Sequence, residues 1–377
     1  MSRRPSPKPA AEDSRHDAPP FGSPDRRTDF AARAAGGPPG SSWRDRARSS
    51  AWMWPLLLGS ALLVAGIAYL LLGETYIRPS LMLRALGGAG AAEHVVIVRE
   101  FRLPRLVVAA LAGAALSAAG ALLQGVFRNP LAAPDLVGIT GGAAAAAAAF
   151  LTFRPPGVSI HWLPAAAMAG AALLAVLVYA AAWRRGIEPG RLILVGIGIG
   201  ALSSAFTSAI LLLSSVYTAT DAYIWLTGTV YGTSWQHVFT LLPWTALFLL
   251  LALRSGRTLN VLMLSDESAA GVGSHVERSR RGLIAISVGL AGSAVAIGGS
   301  IGFVGLIGPH LARQLVGPAA SRLLPVSALC GALIVVLADL VARTAFLPYD
   351  VPVGVFTSAV GAPFFLYLLY RNRRSVR

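Results

Sequence analysis

The chain holds one lysine, Lys8, in 377 residues, and that scarcity removes several chemistries at once. A P-loop needs a lysine on the β- and γ-phosphates, so this chain is not its own P-loop ATPase. If ATP powers it, another chain hydrolyses the nucleotide. Retinal and pyridoxal chemistry need a Schiff-base lysine, and the apolar part has none. Cys330 is the single cysteine, which excludes an intrachain disulfide and a cysteine-rich metal cluster. The histidines, at 16, 94, 161, 237, 275 and 310, are scattered without an H-E-x-x-H pattern, and no long apolar run carries a pair of carboxylates. No catalytic residue, metal site or cofactor is therefore expected. Charge is short as well: charged residues make up 13% of the chain, against about 25% in a soluble domain. Hydrophobic residues make up 55%, so most of the chain does not face water.

What is present is length in apolar runs. About 20 consecutive apolar residues cross a bilayer as a helix, and ten spans are expected, near 53–72, 104–126, 136–153, 163–182, 192–213, 237–253, 282–300, 303–316, 323–342 and 353–370. The eighth is short and broken by Gly308-Pro309. The expected fold is thus all-α and polytopic. Residues 1–50 carry ten Lys/Arg and six Asp/Glu among many Pro, Ser, Gly and Ala. Such a segment cannot bury a core and is expected to be a disordered basic tail, with residues 51–377 forming the membrane domain. It is not a signal peptide, because the polar stretch is long and no A-x-A site follows the first apolar run. Arg44, Arg46 and Arg48 offer a minor contact to anionic lipid.

A net charge of +15 could point to nucleic acid, but the arginines cluster in loops between apolar runs, as membrane proteins place them. The loops 127–135, 183–191, 254–281, 317–322 and 371–377, with Arg313, hold 15 Arg against 7 in the opposite set. The positive-inside rule makes the first set cytoplasmic, and an even span count puts both termini there. The opposite segment 78–105 has five arginines that need another reason. Trp52, Trp54, Trp162, Trp183, Trp235, Tyr367 and Tyr370 fall at span ends, as an interfacial belt would.

Ala112-Gly113, Gly120 and Pro130 recur as Ala291-Gly292, Gly299 and Pro309 at an offset of 179. The copies lie in spans two and seven, which cross in opposite directions, the pattern of an inverted repeat. Small residues let membrane helices approach closely. Gly113, Ala114, Ser117 and Gly120, and the run 143–149, read first as packing. In span five, Gly196, Gly198 and Gly200 are joined by Ser203, Ser204, Thr207 and Ser208. The path candidates are Gly196, Gly200, Ser203, Ser204 and Thr207. Asp339 is the one deep carboxylate; it precedes Arg343 by four residues, and an intrahelical ion pair is its simplest reading. In the long loop 254–281, Ser265 is a good N-cap, Asp266 and Glu267 suit a first turn, and Gly271 and Gly273 stop it. One or two short helices are expected there, as solvated structure or as a docking element.

At these residues the sequence resembles the FecCD family, the permease subunits of ATP-binding-cassette importers for iron–siderophores, haem and cobalamin. The resemblance rests on RLPR at 102–105, GALLQGVFRNPLAAPDLVG at 120–138, WLTGTVYGTSW at 225–235, LNVLMLSDESAAGVGSHVER at 259–278, GGSIGFVGLIGPHLARQLVG at 298–317, LLPVSALCGALIVVLADLVART at 323–344 and the block at 347–369. It covers about 55–372 and leaves the tail outside. It implies ten helices, a pair of permeases (a homodimer or a related second chain), ATPase subunits inside and a binding protein outside. Arg102, Arg105 and Arg343 match family arginines that pair with glutamates of the binding protein, a role suited to a planar fork. Leu264, Ser265, Asp266, Glu267, Ala270, Gly271, Val272 and Gly273 match the ATPase-coupling element. Pro189-Gly190 stand where similar proteins can carry hydroxyl residues.

The implied function is an importer permease for an iron–siderophore or a haem- or cobalamin-type chelate in a bacterial cell membrane. The alternative is a proton-coupled secondary transporter, which would need Asp339 to titrate inside the membrane. A polytopic membrane enzyme is a third reading, for which clustered polar residues are lacking.

Overall fold

The computed structural model describes residues 41–184 and 188–372. Among them every regular element is helical. The expected tail at 1–40 lies outside the described residues, and the first helix starts at Ser41, inside the stretch read as tail. Ten principal helices match the ten expected spans: α1 Ser41–Leu71, α2 Leu103–Val126, α3 Ile139–Phe153, α4 Leu163–Ala182, α5 Pro189–Leu212, α6 Trp235–Arg254, α7 Val276–Gly298, α8 Val304–Val316, α9 Ala320–Thr344 and α10 Val353–Asn372. Seven described helices are long and apolar enough to cross a membrane. The 13 residues of α8 rise only about 20 Å, short of a 30 Å hydrocarbon core. Such a helix is tolerated at membrane depth because it is buried among others, and its Gly305, Ile307, Gly308 and Pro309 are buried.

Helix α2 is the axis of the bundle. Of its most apolar stretch 72% is buried, against 22% for α1, α5 and α6, so α2 is apolar all round whereas those three keep broad faces outward. Close approach is bought with glycine. A Cβ on Gly113 would strike the Gly331 carbonyl of α9, and a Cβ on Gly120 the Gly305 carbonyl of α8. Beside the first crossing, Ser117 Oγ donates to Ser327 O at 2.7 Å, and Ser287 of α7 donates to Ala119 O at 3.1 Å. The repeat seen in the sequence is met in part: Gly113 and Gly292 lie within α2 and α7, but Gly120 lies within α2 while its copy Gly299 follows α7 at φ 66°. Gly113 meets α9, and its copy Gly292 meets Ala171 of α4. Helix α3 packs on α4 as α8 packs on α9, and α4 on α5 as α9 on α10.

The second span is longer than the hydropathy reading. Helix Ala92–Val96 runs into a π-helical turn, Ile97–Arg102, and then into α2, so RLPR is helical rather than a loop end. The π turn stands just before Pro104, whose ring nitrogen cannot donate to the preceding turn. The indole N–H of Trp235 donates to the Arg99 carbonyl at 2.8 Å. Short helices Pro79–Leu86 and Val216–Leu226 lie in segments read from the sequence as connections. Helices Gly256–Leu262 and Asp266–Gly271 meet the expectation of short helices in 254–281.

Candidate functional site

At one end of the bundle, charged side chains and a tyrosine hydroxyl gather from four segments. Arg105, in the first turn of α2, donates from Nε to Asp339 at 2.9 Å and from Nη2 at 2.8 Å, and it reaches Asp350 of the α9–α10 connection at 2.8 Å. Tyr69 of α1 donates its hydroxyl to Asp339. The Asp339 side chain is 1% exposed and that of Arg105 10%, so this is a buried, charge-assisted network rather than a surface pair. Tyr231 lies under the guanidinium of Arg105, 5.5 Å from its centroid.

Arg102 and Arg343 close the end of α1. A helix leaves its last carbonyls without internal partners, and cations are favoured there. Arg343 Nη2 donates to Tyr69 O and, at 2.8 Å, to Leu72 O, while Arg102 donates to Leu70 O at 2.7 Å and Thr75 O at 2.6 Å. Leu71 O accepts from Ile77 N at 3.1 Å, so the carbonyls of the last turn are all engaged. Arg343 also stacks on the Tyr69 ring at 3.7 Å.

This geometry corrects one expectation and bears on another. Asp339 does not pair with Arg343 four residues on; it takes Arg105 and Tyr69 instead, because that face of α9 is turned onto α2 and α1. Arg102, Arg105 and Arg343, expected as forks open to a partner, are 5%, 8% and 9% exposed; Arg105 holds Asp339 and Asp350, Arg102 and Arg343 donate to carbonyls at the end of α1, and Arg343 Nε is buried without a hydrogen-bond partner among the described residues. The exposed arginines of the 78–105 segment are Arg78, Arg84 and Arg99.

At the opposite end the expected short helix forms. Ser265 caps it, accepting from Ser268 N at 3.1 Å, and Asp266 and Glu267 occupy the first turn. The helix ends at Gly271, and Gly273 follows at φ 81°, in the left-handed region that favours glycine. Ala269 is buried while Leu264, Glu267, Ala270 and Val272 are exposed, so an apolar edge faces outward. Asp266 ties the helix to the bundle. It accepts from Arg128, which follows α2, and from Arg280 of α7 at 3.0 Å. Partial burial pushes the Asp266 carboxyl up, but the hydrogen bonds and charges of Arg280 and Arg128 outweigh it and hold the group below the usual carboxylate range. Arg128 also donates to Leu262 O at 2.9 Å, from a backbone at φ 49°.

The α5 residues divide. Ser203 donates to Gly141 O of α3 at 2.8 Å, Thr207 donates to Ser203 O at 2.9 Å, and a Cβ on Gly196 would strike the Leu136 carbonyl. These three face the interior of the chain rather than open space. Gly200 has open space at its Cβ position, and Ser204 is exposed, beside Leu202 and Phe206 on the outer face.

Residues 61–371 match the FecCD transport family. The chain belongs to that family. This FecCD chain is 46% identical over 318 residues to the achromobactin transport system permease protein CbrC of Dickeya dadantii, covering 84% of this chain and 90% of that one. It is 38% identical over 320 residues to the ferric enterobactin transport system permease protein FepG of Escherichia coli, covering 85% and 96%. Its fold matches an inward-facing structure of a metal-chelate type ABC transporter with a TM-score of 0.76 at 30% identity, covering 84% of this chain and 98% of that one.

The sequence missed Tyr69, Asp350, Arg128 and Arg280 as partners in the two FecCD clusters. Tyr69 and Arg280 carried only positional signals, at the end of an apolar run and in a basic loop. The pairs Arg105–Asp339 and Arg128–Asp266 join residues 234 and 138 apart, and nothing local marks such partners.

Proposed function

We propose that this chain is the membrane-spanning permease of an ABC importer for ferric chelates of the siderophore class, in the cell membrane, with both termini in the cytoplasm. It works with a separate ATPase, an extracytoplasmic binding protein and a second permease, either a second copy or a related chain. The observation that carries the reading is the capped helix Asp266–Gly271. It shows an apolar edge outward and is tied through Asp266 to the end of α2 and to α7. A push on that helix from a nucleotide-hydrolysing partner is passed to two well-buried helices, in a chain without a P-loop lysine. The names of the relatives supply the substrate class.

Coupling is tested with Leu264→Asp and Val272→Asp, at exposed positions outside the bundle core. In proteoliposomes holding all subunits, ATP-driven uptake of a ferric siderophore is expected to fall at least tenfold while the permease elutes as wild type. ATP-driven uptake at the wild-type rate would remove the coupling role. Uptake that needs a proton gradient and no ATP would favour the secondary-transport reading, which the capture of Asp339 by Arg105 and Tyr69 already disfavours.

The binding protein is proposed to dock on the opposite rim through Arg78, Arg84 and Arg99, exposed cations of the 78–105 segment, with Arg102, Arg105 and Arg343 holding the rim in shape. Rim charges mainly set the on-rate. The double variant Arg84→Glu, Arg99→Glu is expected to slow association by about tenfold at low salt and to leave the permease folded. An on-rate equal to wild type at every salt concentration would discard this surface.

A further inference from the structure

We infer that a groove between α4 and α7 is a binding site for one anionic phospholipid, with an acyl chain in the groove and the headgroup phosphate on Arg281. The groove has a volume of about 380 Å³, within the range of small-ligand clefts. Its walls are apolar, formed by Ala172 and Val176 of α4 and by Ala285 and Val288 of α7. Small residues leave the trough open, and Leu173 and Val176 beside it are exposed at 62% each. Both helices are long and apolar enough to span the bilayer. At that depth the solvent is hydrocarbon, so an acyl chain is the natural filling.

Charge selects the lipid. Tyr179 and Arg281 line one end of the groove, at the first turns of α7 and the last turns of α4, where an interface would lie. Arg281 is exposed. It makes no ion pair or hydrogen bond among the described residues; its guanidinium lies over the Trp183 ring, 5.9 Å from the centroid. Trp183 in turn packs on Tyr179 at 5.7 Å. The nearby carboxylate does not neutralise it. Glu277 is taken by Tyr179 at 2.9 Å and Arg280 at 3.2 Å. An aromatic pair and an unmatched cation at the mouth of an apolar trough suit a phosphate whose chain lies along the wall. The exposed Arg184 beside Trp183 adds to the local positive potential.

Native mass spectrometry of the purified full-length chain tests this, titrated with phosphatidylglycerol and with phosphatidylcholine of the same chains. The wild type is expected to hold one phosphatidylglycerol about fivefold or more tightly than phosphatidylcholine, the preference expected of a single interfacial arginine. Arg281→Ala should erase the preference while weaker binding of both lipids persists. Ala285→Phe, which fills the trough and keeps the cation, should lower the affinity for both. Elution and thermal unfolding of each variant check that it folds; a variant that fails is replaced by Arg281→Gln or Ala172→Phe. Equal affinities for the two lipids in the wild type would overturn the site. So would an unchanged preference in the arginine variant, or unchanged binding in the filled-groove variant.

Discussion

Replacing Asp339 with alanine is expected to lower the stability of the folded chain by about 3 kcal/mol or more, the usual cost of removing one partner from a buried ion pair. The carboxylate is 1% exposed and accepts from Arg105 twice and from Tyr69. Its loss strands the Tyr69 hydroxyl and leaves Arg105, 10% exposed, with Asp350 as its one remaining carboxylate. Detergent- or force-induced unfolding of the purified protein measures the change. The pair itself is not expected to be worth that amount, because two charges were taken out of water to form it. The double variant Arg105→Met, Asp339→Leu should therefore recover much of the loss, since Asp350 is 25% exposed and can turn to water. Asp350→Ala alone should cost less than Asp339→Ala for the same reason. An Asp339→Ala protein within ~0.5 kcal/mol of wild type, the range of an ordinary surface change, would show that the network holds nothing together.

Gly120→Val is expected to have the second large effect, a loss of folded protein rather than a shift in activity. A Cβ at this position runs into the backbone carbonyl of Gly305. Backbone on backbone leaves no flexible side chain to move aside, so α2 and α8 must separate. Overpacking in a tight core costs about 1–3 kcal/mol, and more where relaxation is blocked. Here the neighbours are blocked too, because Gly305 itself sits against Pro134 and the Leu116 carbonyl. Yield and monodispersity after extraction provide the measurement, and even Gly120→Ala should reduce both. Gly200→Ala serves as the control, since its Cβ would meet open space, and Ala is the better helix former. If Gly120→Val gave wild-type yield, the close crossing of α2 and α8 would not be what holds the bundle axis.

The two ends of the molecule were legible to different degrees. Ser265, Asp266, Glu267, Gly271 and Gly273 announce a capped helix within a few residues of chain, and the structure has that helix. The family resemblance implied that the rim arginines are free forks. Arg102 and Arg343 instead satisfy carbonyls at the end of α1, a demand set by where another helix stops. Span five shows the same limit. Its hydroxyl residues are plain in the sequence, but which of Ser203, Ser204 and Thr207 turns outward depends on how α5 lies against α3.

The sequence by itself determined the membrane class, the ten helices, the arginine-rich loops, the short helix in 254–281 and the family. Hydropathy, capping and loop charge are properties of neighbouring residues, so they can be summed along a chain. Only the tertiary structure decided that Arg105 belongs to Asp339 and Asp350, that Arg102 and Arg343 cap α1, and that Ser203 and Thr207 face inward. Those outcomes follow from close crossings between distant parts of the chain, Gly113–Gly331 and Gly120–Gly305 around α2 and Gly196–Leu136 at α5, which fix which side of each helix is buried.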